Sequence, residues 1–458
     1  MRARLLLLGV TLLVFLSRYP FLNAGYGNDP DAWLIANVAQ HLARTGEYTA
    51  SRLPGYPLPE FVYSVYYLMG LGKPIILNGT TALLSSVGFL LFSLILKICG
   101  SKDKDYILGS LALAFTPIIF INSTNSMDYI WALTFILAST FFVLIDKILI
   151  GAAFPGLAIG SRVTSGAMLL PLIILIMRRH QKDNLGMLVG FSLVTSVIGA
   201  LFYVPVFLRY GPGFLTFSGN YPPLLWIVYS ASVVVWGTIG SVVLALVIVT
   251  QLSHLRNNVI NTTFRSTNSD EASGKKLLVA AWMLVIVLYL TAFLMVPHDG
   301  AYLIPIIPFV ILLIYHFLPR RSFILLCIAI ILSSFLLTVE GNKITLAGPI
   351  FNDHLERLEK TDYVERYLFV ANNLDHKSLI IAGLWLPQIT AMMPADQNTL
   401  VEYVWLIEKS VLQSYLEQGY QIYYLSGQRE LTIKYYGFDP EEIGARPLIP
   451  DDARGVKW

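Results

Sequence analysis

Apolar runs of about 20 residues, the length a helix needs to cross the hydrocarbon core of a bilayer, recur along this chain from Leu5 to Val339. Backbone N–H and C=O groups in lipid find no water, so each run must close its hydrogen bonds within itself, as a helix does. Spans are expected at Leu5–Leu22, Pro74–Ile98, Tyr106–Ile121, Tyr129–Ile145, Leu185–Leu208, Leu224–Leu252, Leu277–Val296, Ala301–Phe317 and Phe323–Val339. Composition agrees: 55% of residues are hydrophobic and 13% charged, against about 25% charged in a soluble domain, and the mean hydropathy is +0.64. The net charge of +3 is scattered, which argues against nucleic acid as a partner. Cys99 and Cys327 lie in or beside apolar runs and supply neither a disulfide framework nor a zinc cluster.

Arg2 and Arg4 precede the first apolar run in the manner of a secretory signal, but Arg18-Tyr19-Pro20 follows in place of a small-residue cleavage site. The segment reads as a retained first helix with its basic end in the cytoplasm. Basic connections at Lys97–Lys104, Arg178–Lys182, His254–Lys276 and Pro319–Arg321 belong on the same side by the positive-inside rule. Ile148–Met177 then lies between two cytoplasmic basic ends, so it is expected to enter and return as two short helices with Arg162 near the turn, where Gly160-Ser161-Arg162-Val163-Thr164 supplies small and polar residues. Counting its halves separately gives about eleven helices and a C-terminus outside. The expectation is a polytopic α-helical membrane protein, in the plasma membrane if the source is prokaryotic.

From Glu340 the composition turns to mixed charge, which places a small soluble α/β domain over 340–458 on the outer face, after a membrane domain over 1–339. Thr361–Leu374 and Asn398–Gln418 read as amphipathic helices, Ser378–Gly383 and Gln421–Leu425 as short buried strands. Neither a Gly-rich phosphate loop nor an internal repeat is present.

With this topology, isolated polar groups gather at the outer face: Asp29 and Asp31 after the first helix, Asp128 before the fourth, Arg162, and His298-Asp299. Carboxylates at the lip of a membrane core are costly to desolvate and persist with a job, such as taking a proton or binding a cation. The first outer loop, residues 19–72, is far longer than an ordinary connection. Asp31–Thr45 has helical periodicity, with Trp33, Ile35, Val38, Ala39 and Leu42 placed to lie on the membrane surface and Gly46 to stop it. Arg52-Leu53-Pro54-Gly55-Tyr56-Pro57 follows as a proline-fixed turn bearing one cation. Plainer readings exist for each group: Asp29 and Asp128 as helix caps, Arg162 as an interfacial snorkelling residue, His298-Asp299 as a tight turn, and Arg52 as a partner of Glu60 or of headgroups.

The Asp-bearing first loop, the surface helix, the Pro-Gly-Tyr-Pro turn, the Gly-rich segment ending in Arg162-Val163-Thr164, and the late His298-Asp299-Gly300-Ala301-Tyr302-Leu303-Ile304-Pro305 together resemble the glycosyltransferase C superfamily. That group includes dolichyl-phosphate-mannose protein mannosyltransferases, the aminoarabinose lipid A transferase and oligosaccharyltransferase catalytic subunits. The likeness covers most of Met1–Val339 and is weak beyond it. It implies that a first-loop acid, Asp29 or Asp31, acts as base or metal ligand and that Asp128, in Asn125-Ser126-Met127-Asp128-Tyr129, is the second acid. The Asp-Glu pair of the mannosyltransferases is absent here, so Asp29 and Asp31 stand as alternatives for the base. A divalent cation, Mg or Mn, held by Asp29 and Asp128 is one option and catalysis without metal the other. Arg52, Arg162, His298, Asp299 and Tyr302 are the expected contacts to the lipid phosphate or substrate.

The implied reaction moves a sugar from a polyprenyl-phosphate donor to a glycan, lipid or protein acceptor. The residue types suit it independently: a carboxylate removes the acceptor proton, and Arg162 or His298 stabilises the leaving lipid phosphate. Two alternatives belong to other classes. A secondary transporter would show matching halves and midplane charges, neither of which is legible here; a non-catalytic receptor for lipid-linked glycans would share the same polar groups. The sequence names neither sugar, acceptor nor polyprenol. The topology is checked by a thiol label: in intact cells it should reach a Cys introduced near Gly427, and labelling only after lysis would overturn the outer placement of the C-terminal segment.

Overall fold

The computed structural model describes residues 2–101, 104–178, 184–215, 221–251, 270–340, 343–393, 401–405 and 408–449. Most of the expected cytoplasmic connections at 178–182 and 254–276, and residues 102–103 of that at 97–104, lie outside the described residues. Among the described residues, six helical segments are long and apolar enough to cross a membrane: Arg4–Phe21, Pro74–Ile98, Leu185–Leu215, Leu224–Thr250, Gly274–Met295 and Gly300–Phe317. Shorter apolar helices lie at Asp105–Ala114, Tyr129–Leu144, Ile148–Ser161 and Val163–Met177.

In chain order, α1 is Arg2–Leu16, α2 Pro30–Thr45, α3 Pro57–Leu68 and α4 Pro74–Ile98. Helix α2 begins where expected because Asp29 caps it and Pro30 fits the first turn, and it ends at Gly46, which adopts the left-handed φ of 73°. Its apolar face does not lie on the membrane surface. Trp33, Ile35 and Val38 are buried, because α3, which falls in the stretch expected as loop, and the C-terminal segment pack on it. Prolines at 57 and 59 start α3, and the fully buried Glu60 ties it back to the preceding strap by accepting from Ser51 N at 3.1 Å, Ser51 Oγ at 2.5 Å and the Tyr48 hydroxyl.

Next come α5 (Asp105–Ala114), α6 (Pro117–Asn122), α7 (Tyr129–Leu144), α8 (Ile148–Ser161), α9 (Leu169–Met177) and α10 (Asn184–Tyr210). The expected span Tyr106–Ile121 is therefore two helices, broken at Phe115-Thr116, where Pro117 opens the second. Ile148–Met177 is likewise two helices. At about 1.5 Å per residue neither α8 nor α9 reaches across a hydrocarbon core, and between them Arg162 is extended, with φ −154° and ψ 117°. Helix α8 packs between α7 and α10.

Helices α11 (Leu224–Tyr229), α12 (Val235–Thr250), α13 (Asp270–Met295), α14 (Ile307–Phe317) and α15 (Arg320–Phe335) complete the helical array. The run expected at Leu224–Leu252 is interrupted by a π-turn over Ser230–Val234 and by Gly237 at φ 71°; Leu252 lies outside the described residues. A turn of 3₁₀ helix over Gly300–Ile306 precedes α14. The expected span Phe323–Val339 also ends early. After Phe335 the chain becomes β1 (Leu336–Glu340), which pairs antiparallel with β2 (Lys343–Ala347), the β-branched Thr338, Val339, Ile344 and Thr345 suiting a strand.

The C-terminal segment contains α16 (Pro349–Asn372), β3 (Ser378–Ile381), α17 (Leu386–Met392), β4 (Val401–Val404), α18 (Lys409–Glu417), β5 (Gln421–Tyr424), α19 (Gln428–Tyr436) and β6 (Arg446–Pro447). Helix α19 is not among the expected elements, and residues 401–404 of the expected helix Asn398–Gln418 form β4 instead; 398–400 lie outside the described residues. The strands form one parallel sheet in the order β4-β3-β5-β6. Strand β3 is buried throughout because both faces are covered: Ile380 packs with Tyr363, Tyr367 and Trp385, while Leu379 and Ile381 pack with Leu412 and Ile422.

Gly300, next to Asp299, is where the π-turn approaches the 3₁₀ turn: a Cβ there would stand 2.7 Å from the Ser230 carbonyl oxygen. Gly300→Ala must shift backbone and is expected to cost about 1–3 kcal/mol, read as a lowered midpoint of thermal unfolding in detergent. An unchanged midpoint would show that the contact yields freely.

Candidate functional site

Arg162 is the centre of the polar constellation. The chain leaves α8 at Ser161, and the extended Arg162 sends its guanidinium toward the start of α7, where Nη1 donates to Asp128 Oδ2 at 2.8 Å. The Asp128 side chain is fully buried and that of Arg162 is 14% exposed. Buried charges persist when paired, and here aromatic faces add to the pairing: the guanidinium carbon lies 4.1 Å from the ring centre of Tyr129, 4.9 Å from Tyr302 and 5.8 Å from Tyr56, all within cation–π range. The Tyr129 hydroxyl donates to Asp299 Oδ2 at 2.7 Å, and Asp299 Oδ1 accepts from Ala301 N at 2.8 Å. Asp299 thus caps the 3₁₀ turn that carries Tyr302.

The first-loop acids meet this cluster from the other side. Asp29 Oδ1 accepts from Asp31 N at 2.8 Å, so the capping reading of Asp29 holds geometrically. Asp31 Oδ2 accepts from Arg52 Nη1 at 2.8 Å. Arg52 pairs with Asp31 and not with Glu60, whose oxygens take the Ser51 and Tyr48 donors instead. Burial, then the nearby charge of Asp31 and, more weakly, that of Asp299, push the Asp29 carboxyl up to about 7, against the opposing pull of the Asp31 N–H and Arg52. A carboxyl in that range is divided between its two forms at neutral pH, as a proton acceptor requires.

Between Arg52 and Arg162 lies a cavity of about 210 Å³, lined by Leu53, Pro54, Gly55, Tyr56, Val163, Thr164, Tyr289, Ala292, Met295, Val296 and Tyr302 besides the two arginines. Its wall is apolar except where the guanidinium and phenol groups reach it. That combination of an oily slot with cationic forks suits an amphiphile with an anionic head.

Asp29, Asp31, Arg52, Asp128, Arg162, Asp299 and Tyr302 are therefore gathered around one place. Neither Asp29 nor Asp31 lines the cavity itself; Asp31 reaches its rim through Arg52. His298 is exposed and is not among the lining residues, so it stands apart from the place expected for a phosphate contact. A cation held jointly by Asp29 and Asp128 does not fit this arrangement, because Asp128 faces a guanidinium at 2.8 Å and Asp29 serves as a helix cap; no cluster of three metal-binding side chains occurs among the described residues.

Sequence reasoning did not find the tyrosine faces around Arg162, nor the grip of α16 on the acid-bearing loops. The fully buried Arg357 donates to Thr124 O at 2.9 Å and to the Phe21 carbonyl. Lys360 Nζ donates to Asn28 Oδ1 at 2.6 Å, and Asn28 Nδ2 donates to Glu356 Oε2 at 2.7 Å. No periodicity signals contacts of such sequence separation. Glu60 did carry a signal, as the one acidic residue in the apolar run Pro57–Leu68.

No family model matches the chain, and no curated protein matches it. Among solved structures, the crystal structure of ArnT from Cupriavidus metallidurans in the apo state is similar, with a TM-score of 0.52 over 94% of each chain and 14% sequence identity. The chain has the ArnT fold. At that identity the likeness speaks to the fold alone.

In this ArnT-like fold, Asp128→Asn would leave Arg162 buried without its counter-charge, and breaking such a pair costs about 3–5 kcal/mol. Asp128→Asn and Arg162→Gln should each lower thermal stability, and the double variant should lose clearly less than the sum of the two. Strictly additive losses would show that the pair is not coupled.

Proposed function

We propose that this chain is an integral membrane glycosyltransferase that moves a sugar from a polyprenyl-phosphate donor to a glycan, lipid or protein acceptor at the outer face of the membrane, with 1–339 as the membrane domain of about eleven helices and 340–458 as an outer α/β domain. The observation that carries the reading is the apolar cavity with Arg162 and Arg52 on its wall and the Asp29–Asp31 pair beside Arg52. The ArnT-like fold supports the same reaction class.

In this reading the donor's lipid occupies the apolar slot and its phosphate meets the guanidinium groups. The acceptor oxygen attacks the anomeric carbon, the bond from that carbon to the phosphate oxygen breaks, and the phosphate departs with the electron pair. The acceptor proton passes to a carboxylate, and Asp29 is better suited than Asp31, which is committed to Arg52. Charge on the leaving phosphate grows along the reaction, so Arg162 stabilises the transition state more than the resting donor. No step runs through a metal ion.

The test is transfer from radiolabelled polyprenyl-phosphate sugars to panels of lipid-linked glycans, cell-wall polymers and proteins, using the purified chain in vesicles, with solute flux as the contrasting assay. Flux without transfer would replace the enzyme by a transporter, and donor binding with neither would favour a receptor. If Asp29 is the base, only its ionised form is active. The rate should rise through about pH 7, falling roughly tenfold per pH unit on the acid side, and Asp29→Asn should abolish transfer without loss of folded protein. A wild-type profile with no inflection near that value would remove Asp29 from the role. Arg162→Gln should reduce turnover by more than donor affinity, whereas His298→Gln, at an exposed position, should stay within about twofold of wild type.

A further inference from the structure

The β1–β2 hairpin leaves the end of α15 directly and carries an uncovered aliphatic face. Val339 pairs with Ile344 across the ladder, and residues two apart on a strand point to the same side, so Ile344 and Leu346 share that face. Ile344 is 70% exposed and Leu346 87% exposed. A lone two-stranded hairpin is marginal in water, and one that presents bare isoleucine and leucine needs a covering phase.

The surroundings identify that phase. Leu325, Ile328 and Leu332 form an exposed apolar stripe along α15 that continues into Leu336 at the start of β1, so the hairpin extends a surface already suited to lipid. On its other flank the Tyr229 hydroxyl donates to Val339 O at 3.0 Å, bringing in α11 with the exposed Leu224, Leu225 and Trp226; Trp226 and Tyr229 pack ring to ring at 5.7 Å. Tryptophan and tyrosine favour the depth at which headgroups meet acyl chains. The open edges of a two-stranded ladder cannot enter the hydrocarbon, where their peptide groups would find no partner, which limits how deep the hairpin goes.

We propose that the β1–β2 hairpin and α11 form an interfacial foot that rests on the lipid leaflet at the end of α15, with Ile344 and Leu346 seated at the headgroup–acyl boundary. The foot fixes the height at which α16, which begins two residues after β2, leaves the membrane. It rests on the chain crossing a bilayer and not on the transfer reaction.

The test uses the full chain with Cys99→Ser, Cys327 being buried, and a single cysteine at Ile344, Leu346 or, as a reference in water, the exposed Glu417. Each is labelled with bimane and reconstituted in phosphatidylcholine vesicles carrying a nitroxide either at the upper acyl chain or near the bilayer centre. The upper-chain nitroxide should quench positions 344 and 346 severalfold more than position 417, and more than the central nitroxide does. Quenching no greater than at 417 would overturn the proposal, because the face would then be in water. Protection from quenching together with cross-links between cysteines of two copies would also overturn it, assigning the face to a second copy of the chain.

Discussion

A guanidinium inside an apolar helical core is the constraint around which this structure is arranged. Arg162 cannot be left unpaired in a low-dielectric setting, and the fold answers with Asp128 at 2.8 Å and three tyrosine faces. Each answer requires backbone to be in a particular place. Helix α8 has to stop at Ser161 so that an extended residue can turn inward, α7 has to begin at Tyr129 so that Asp128 sits at its mouth, and the 3₁₀ turn capped by Asp299 has to present Tyr302. The short helices, which fit no simple count of membrane spans, are what bring these groups together.

A neutralised arginine is not a fully committed one. Its charge is balanced, yet it remains on the wall of a cavity with fork donors that match a phosphate. Asp128 still has Oδ1 buried without a hydrogen-bond partner, a condition costly enough to ask for a reason. An approaching anion would compete with Asp128 for the guanidinium, and the tyrosines would hold Arg162 in place during that exchange. In the proposed reaction the pair would be a resting state of the arginine that meets the phosphate, as well as a structural tie.

Much of this was legible in the sequence where the signal is local. Asp29 before Pro30, the stop at Gly46, the break around Arg162 and the short strands at Ser378 and Gln421 all follow from capping, glycine conformation and periodicity. The errors have a common cause. An apolar run predicts an uninterrupted helix, yet Pro117 and Gly237 break two such runs and β-branched residues turn the end of another into a strand. The face of α2 was assigned to lipid because a sequence shows that a face is apolar and not what covers it. His298 neighbours Asp299 in the chain yet is exposed and does not line the cavity, since adjacent residues in a turn point to different places. The polar cluster itself was foreseen because charges in an apolar chain are few, and each needs a partner.

The C-terminal segment completes the argument, because it takes hold of both acid-bearing loops with one stretch of helix. Arg357 fixes the carbonyl of Thr124, four residues before Asp128, while Lys360 and Glu356 fix Asn28, the residue before Asp29. Burial pushes the neighbouring Asp353 up to about 6, the mark of a charged cluster held out of water. A carboxyl raised to about 7, as at Asp29, is sensitive to small changes in its distance from Asp31 and Arg52, since Coulomb energies change steeply at short range in a medium of low dielectric constant. A base on a freely moving loop would lose that tuning. Capping and proton acceptance are therefore compatible in Asp29: Oδ1 anchors the residue to the start of α2, α16 holds the residue before it, and the carboxyl is kept in the surroundings that raise its affinity for a proton.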